Sequence, residues 1–434
     1  MAPRHLVLTI GLGLALTARA QSQARSVTLV DALRRAESVD PQVVQAQGGV
    51  RNASAHVKSA FGSYLPSVGT SANFSNNSSQ GESRVDPVTG EVITGNASST
   101  GLNFGANASY DLFTGFRRGK DITAAKAQRD QANAALDYER AQNRLRTTRT
   151  FVDALQSVTL VAVRRESIRR AEEQFRIAAA KLATRSVSIA DSLQAAVNVA
   201  QTRLQLIADE RQLAISEAAL ARAIGETGSV SAADDSSLAR ASTIVDTAGL
   251  VAEATTRAPE VLRAIAAELA ARASLGATKS QYFPSLNLQA NSQLAGNKAN
   301  DYKFFSSRSV GLGLNWQLFN RFQRELQLAQ RRSDVETSET QTADTRRRVA
   351  SDMLGKLATF RAAEERIAVT QTTVETLRAL VRVHLERYRI GSIDNDVLSR
   401  AQDQLNSAES DAVRARFDYV IAKAEIEALI GRAL

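Results

Sequence analysis

Four ordered motifs occur twice along this 434-residue chain, and that duplication restricts the fold more than any other feature. Asp40-Pro41-Gln42-Val43 returns as Ala258-Pro259-Glu260-Val261, and Tyr64-Leu65-Pro66-Ser67 as Tyr282-Phe283-Pro284-Ser285, both 218 residues later. Tyr110-Asp111-Leu112-Phe113, followed by Phe116, returns as Trp316-Gln317-Leu318-Phe319, followed by Phe322. Ala223-Ile224-Gly225 returns as Leu429-Ile430-Gly431, and these last two pairs are 206 residues apart. The change of offset puts twelve extra residues in copy one, between the second and third motifs. A fold for this chain is therefore built from two equivalent units, residues 21–225 and 247–434, joined by a connector of weak periodicity at 226–246.

The prolines repeat with the motifs. Pro41 matches Pro259 and Pro66 matches Pro284, leaving only Pro87 alone after the first twenty residues. Proline suits helix starts and strand starts but not helix interiors. Each copy thus reads as a helix of moderate length, a break at Tyr-x-Pro-Ser, and then an extended segment.

That extended segment alternates with period two. Val68, Thr70, Ala72 and Phe74 interleave with Ser67, Gly69, Ser71 and Asn73, and Leu286, Leu288 and Ala290 with Asn287, Gln289 and Asn291. The return segments match: Leu102 to Leu112 in copy one and Val310 to Leu318 in copy two alternate apolar residues with Asn, Gly, Ser, Asp and Gln. Two β-hairpins are expected, about 67–112 and 285–318. Their polar face carries Ser, Asn, Gln and Gly rather than the Lys and Glu of a solvated sheet, and apolar-out, polar-in alternation is the mark of a transmembrane β-barrel. Tyr110 and Trp316 fall at equivalent strand ends, where lipid-interface aromatics belong. Four strands cannot close such a barrel, whose smallest examples have eight, so closure calls for several chains.

Between the hairpins the sequence is helical. No proline interrupts 119–184 or 323–389, and about 65 residues at roughly 1.5 Å each extend about 100 Å. Brief breaks follow at Arg185-Ser186-Val187-Ser188 and Ile390-Gly391-Ser392-Ile393, and a second helix returns each time. Leu398, Leu405, Ala412, Tyr419 and Ile426 recur every seven residues, accompanied by Ala401, Ala408, Ala415, Ala422 and Leu429. Ile367, Val374, Val381 and Tyr388 show the same spacing, which implies coiled-coil packing with close approach at the alanines.

The first twenty residues have the basic start, the apolar run Leu6–Leu16 and the Ala18-Arg19-Ala20 cleavage triplet of a secretory signal peptide. Aromatics make up only 5% of the chain and cysteine is absent, which favours long helices over a large core and removes disulfides and thiolate metal sites. The formal charge of +9 comes from basic residues dispersed among acids along helical stretches, as in Arg164-Arg165-Glu166, so it reads as solvated helix faces rather than a nucleic-acid surface. His56 and His384 lie on different expected helices without further ligands at metal spacing, and no phosphate loop or Ser/His/Asp constellation is present. Asn96-Ala97-Ser98 fits a glycosylation acceptor pattern that carries no weight here.

The Tyr-x-Pro-Ser and Leu-Phe-x-x-Phe motifs, and Tyr388-Arg389-Ile390-Gly391 followed by Asp396-Val397-Leu398, together resemble the TolC family of outer-membrane efflux and secretion channels. The resemblance covers the chain beyond its signal. It implies an α+β membrane protein: a homotrimer whose 12-stranded β-barrel, four strands per chain, lies in the outer membrane and continues into a long periplasmic α-helical coiled-coil barrel. It implies a passive duct without cofactor or metal, not an enzyme, serving a tripartite efflux pump or type I secretion system through a periplasmic adaptor (membrane fusion protein) and an inner-membrane pump. By position, Asp396, Asp191 and Tyr388 match the family's periplasmic gate, with Asp191 as the copy-one equivalent of Asp396, and the turns at Ser186, Val187, Gly391 and Ser392 match adaptor contacts. Gly391 to Asp396 is one residue shorter than usual, and Ser399 stands where some members carry a second inward carboxylate. Helix-start acids favoured by the macrodipole are the competing reading of Asp191 and Asp396. Ser186 is expected to take the place of Gly391 in the first turn. A periplasmic coiled-coil scaffold or adaptor without a pore is the alternative for the whole chain, though the lipoyl-like or charged-strand domain of an adaptor is not visible.

Overall fold

The computed structural model describes residues 25–81, 84–93, 97–233, 246–298 and 301–434. The expected signal peptide, Asn96 and most of the connector lie outside the described residues. The element order repeats. Copy one runs α1 (Leu29–Val39), α2 (Pro41–Gly62), β2 (Ser67–Ser79), β5 (Ala97–Phe113), α3 (Arg117–Ala183) and α4 (Ile189–Ala223). Copy two runs α5 (Thr247–Arg257), α6 (Pro259–Lys279), β7 (Ser285–Asn297), β8 (Phe305–Asn315), α7 (Gln323–Arg389) and α8 (Asn395–Ile430). Both α3 and α7 are 67 residues long. Among the described residues no helix is long and apolar enough to cross a membrane.

Local chemistry explains the helix starts. Asp40 accepts from the backbone N–H groups of Gln42 and Val43 at 2.9 and 3.1 Å, and Pro41 supplies a preset φ at the first turn. Ser188 and Asp191 form a reciprocal capping box at the start of α4. The helices α1 and α5, which precede the two proline-initiated helices, were not separated from them in the sequence pattern. Asp40 and Ala258, both with extended ψ, divide them.

The chain forms two compact units. One holds the described residues within 36–146, 239–369 and 418–434, including all four long strands. They make one antiparallel sheet in the order β2-β5-β7-β8, so the hairpins of the two copies lie side by side through β5 and β7. Its register keeps like with like. Phe74 faces Leu102, Phe104 faces Leu294 and Leu288 faces Leu312, while Ser67 faces Ser109, Asn107 faces Asn291 and Asn291 faces Ser309. The apolar face is bare: Val310 is 77% exposed and Leu314 71%. The twelve extra residues of copy one contribute to a second, two-stranded ladder, β3 (Arg84–Val85) with β4 (Val92–Ile93), closed by a turn in which Asp86 Oδ1 accepts from Val88 N at 2.8 Å. In the same unit Phe360 packs on Tyr419 with ring centroids 4.9 Å apart, and Met353, Leu357 and Ile426 are also buried.

One strand limit differs from the sequence pattern. The alternation runs to Leu318, but β8 ends at Asn315. The carbonyls of Gln317 and Leu318 accept from the Arg324 guanidinium at 2.9 Å each, and the Trp316 indole N–H donates to the Tyr282 carbonyl at 3.2 Å. These backbone groups are satisfied outside the ladder, so the strand stops early.

The other unit holds the described residues within 1–35, 147–238 and 370–417. It contains the turns between α3 and α4 and between α7 and α8. It also contains a short parallel pair, β1 (Arg25–Val27) with β6 (Val230–Ala232), that the sequence did not reveal. Three-residue strands are too short for period two to register. Val374, Val381, Ala401 and Leu405, all members of the seven-residue register, form one buried cluster between α7 and α8.

Candidate functional site

The two helix turns share one backbone design. Arg185 and Gly391 both have positive φ, 58° and 78°. Ser186 N donates to the Lys181 carbonyl and Ser392 N to the Arg387 carbonyl, each at 2.8 Å, closing the six-residue loop typical of a helix C-terminus. The residue that replaces Gly391 in copy one is therefore Arg185, not Ser186. A non-glycine residue bears the left-handed conformation there, at a cost of order 1 kcal/mol. Ser186, Gly391 and Ser392 are exposed and Val187 is half-buried.

The three expected gate residues are not brought into mutual contact through their side chains. Asp396 is exposed in the first turn of α8 and pairs with Arg400. That bond holds its carboxyl below the ordinary aspartate range, against a small opposing effect of burial. Asp191 spends its carboxylate on the capping box, accepting from Ser188 N at 3.1 Å and from Ser188 Oγ at 2.8 Å. Asp191 is the third residue of α4 and Asp396 the second of α8, so they are not equivalent positions.

Tyr388 is 1% exposed and packs against Ala178, Ala195 and Leu398. Its phenol oxygen is buried without a hydrogen-bond partner. Burial, with the Asp191 charge as a second cause, raises its pKa. Lys181 donates to the Tyr388 carbonyl and holds its ammonium 4.5 Å from the ring centroid. Tyr388, matched to the gate by position, is a core residue beside the turns, and its hydroxyl bonds to neither Asp191 nor Asp396.

A polar network lies beside it. Fully buried Gln174 donates to Asn395 Oδ1 at 2.7 Å and to Ser399 Oγ at 2.9 Å. Asn198 reaches the same Ser399 oxygen at 2.6 Å, and Asn395 donates to the Asp191 carbonyl at 3.3 Å. Ser399 thus joins α8 to α3 and α4. Further along, Glu409, 5% exposed, accepts from Arg170 at 2.6 Å and from Arg378 at 3.0 and 3.1 Å, tying α8 to α3 and α7. A polar cavity of about 510 Å³ is lined by Asn198, Gln205, Asp403, Asn406, Ser410 and Arg414, among others, and burial raises the pKa of Asp403. Of these interior polar groups only Ser399 was singled out by sequence, as the place of an absent carboxylate, because a lone Gln or Glu within a 35- to 67-residue helix carries no periodic signal.

The strand-to-helix junctions are a second recurring site. Gly115-Phe116 and Arg321-Phe322 are consecutive positive-φ pairs at matching positions. Gly115 leaves no room for a side chain, since an added Cβ would lie 2.6 Å from Phe283 Cβ. Two residues beyond each phenylalanine stands a buried arginine. Arg118 lies over the rings of Tyr64 and Tyr110, at 5.2 and 5.3 Å, and Arg324 over Tyr282 at 4.6 Å. The tyrosine of Tyr-x-Pro-Ser therefore meets an arginine in both copies, a pairing the 206-residue offset could have exposed. Tyr110 lies within β5 opposite Leu288, whereas Trp316, 57% exposed, stands just past the end of β8.

Comparison with known proteins agrees with this architecture. The model of the outer membrane efflux protein family matches residues 32–226 and 250–432. The outer membrane efflux protein BepC of Brucella suis is 22% identical over 412 residues, covering 94% of this chain and 86% of BepC. Among solved structures, CusC superposes with a TM-score of 0.77 at 16% identity, covering all of both chains. The open-state MtrE outer membrane channel of Neisseria gonorrhoeae superposes with a TM-score of 0.75, also at 16% identity, covering 94% of this chain and 89% of that one. With the family model spanning both copies, the chain belongs to the outer membrane efflux protein family.

Proposed function

We propose that three copies of this chain close into one outer-membrane exit duct, a passive conduit through which an inner-membrane pump and its periplasmic adaptor expel cargo. The observation that carries this reading is the sheet. It has four antiparallel strands whose edges, β2 and β8, are unpaired among the described residues, one apolar exposed face and one face of Ser, Asn, Gln and Gly. An exposed apolar sheet with open edges is a liability in water, and joining β8 of one copy to β2 of the next removes both the edges and the mismatch with solvent. An even strand count per copy keeps that joint antiparallel. Planar-bilayer recording of the purified protein tests the reading: discrete conductance steps are expected, and a protein that assembles but opens no pore would favour the scaffold alternative.

In this reading the gate lies at the two helix turns. Asp396 is the carboxylate positioned to line it, being exposed and kept ionised by Arg400. Asp191 contributes through its helix cap and Tyr388 through the packing of the tip. The exposed turn residues Ser186, Gly391 and Ser392, with Val187, are assigned to adaptor contact. Replacing Asp396 by Ala removes an exposed, solvent-screened ion pair that adds little to stability. Folding is expected to be unchanged while block by divalent cations weakens; unaltered block would reduce Asp396 to a helix-start acid.

A further inference from the structure

On the apolar face, toward the β7–β8 turn, Thr70, Ala106, Ser292 and Arg308 form one row of the sheet. The row on one side contains Val68, Ala108, Ala290 and Val310, and the row on the other Ala72, Phe104, Leu294 and Ser306. Arg308 therefore shares its face with Val310, Leu312 and Leu314, and it is exposed. Most arginines of the helices are held by carboxylates, such as Arg164 by Asp209 and Arg348 by Glu260. Arg308, Lys298 and Lys303 have no such partner among the described residues. Strand β2, which would adjoin β8 in a closed barrel, contains no carboxylate to supply one.

Depth explains how a cation can stand on this face. Arg308 lies eight positions before Trp316. At about 3.4 Å per residue and a tilt of about 40°, that separation lifts it roughly 21 Å above the Trp316 level. An apolar band is about 25 Å tall, so a guanidinium on its flexible stem reaches the far headgroups. Exposed Phe304, beside Tyr302, adds an aromatic near that end of the face, its ring 6.0 Å from that of Phe104.

We propose that Arg308, with Lys298 and Lys303 above it, binds the phosphate of an outer-leaflet lipid headgroup, giving each duct three anionic-lipid sites on its outer wall. Guanidinium–phosphate pairing is charge-assisted and bidentate, which suits an otherwise unpaired arginine at the interface. The inference rests on the membrane placement of the sheet proposed above.

The test uses the full chain assembled in nanodiscs of phosphatidylcholine containing a minority of diphosphorylated lipid A, with native mass spectrometry counting retained lipid. About one lipid A per subunit is expected for the unaltered protein, about fivefold less for Arg308→Gln, and near-full retention for Arg308→Lys. Equal retention by Arg308→Gln would overturn the proposal, as would displacement of the lipid by millimolar inorganic phosphate, which would mark a site for the free ion. Should Arg308→Gln fail to assemble, the loop variant Lys298→Gln/Lys303→Gln carries the measurement: about twofold reduced retention supports the site, and unchanged retention opposes it. Oligomer size is read from the same spectra. Absence of trimers in the unaltered protein would strike the duct reading itself, whereas intact trimers indifferent to lipid A would strike only this inference.

Discussion

Tyr388 separates two roles that sequence alone merges. Its place three residues before Gly391 suggests a gate hydroxyl, yet its ring fills the space between Ala178, Ala195 and Leu398 and its oxygen bonds to nothing. Replacing it by Phe keeps the ring and the Lys181 contact and discards only an unpartnered hydroxyl, so stability is expected to change by less than about 1 kcal/mol. Replacing it by Ala is expected to cost about 3–5 kcal/mol of resistance to thermal or chemical unfolding. Conductance altered by the Phe variant without loss of stability would return the hydroxyl to the gate. The seven-residue register foretold that Tyr388 is a seam residue, but which neighbours it meets depends on helices α3 and α4, more than 190 residues away in the chain. Gln174 and Glu409 were invisible for the same reason, and Ser399 stood out only as an absent carboxylate, not as a joint between helices. Their partners come from other helices, and an isolated polar residue on a long helix looks solvated until those helices are packed.

Elements were more legible than residues. The limits expected for the long helices, 119–184 and 323–389, differ from α3 and α7 by two residues or fewer, because proline-free stretches bounded by Gly and Ser have no competing structure. The strands were legible through period two, and the pairing of Leu with Leu and Asn with Asn confirms which residues share a face. What failed was the end of β8, where Arg324 takes the carbonyls of Gln317 and Leu318 out of the ladder. Side-chain capping of backbone over six or seven residues leaves no trace in hydrophobic alternation. At this scale the claim about the apolar face is direct to test. Leu312→Arg, about 10 Å above the Trp316 level and so near mid-bilayer, places a charge beside Leu288, Val310 and Leu314, and is expected to weaken barrel assembly by about 2–4 kcal/mol. Gel mobility of unheated samples checks it, and oligomers as stable as those of the unaltered protein would mean that this face does not meet lipid.

For the molecule as a whole, duplication and incompleteness act together. The two copies give two hairpins, and the two hairpins give one sheet whose outer strands are β2 and β8. Everything proposed for the duct follows from what covers those edges. The chain has no cysteine, so engineered pairs report without background. Gly313→Cys on β8, combined in turn with Ser67→Cys, Gly69→Cys and Ser71→Cys on β2, samples the registers open to an antiparallel joint. At one register, oxidation in outer membranes is expected to yield a ladder of disulfide-linked species that ends at three chains, collapsing to one on reduction. Monomers alone at every register, or a ladder continuing past three, would contradict closure by three copies.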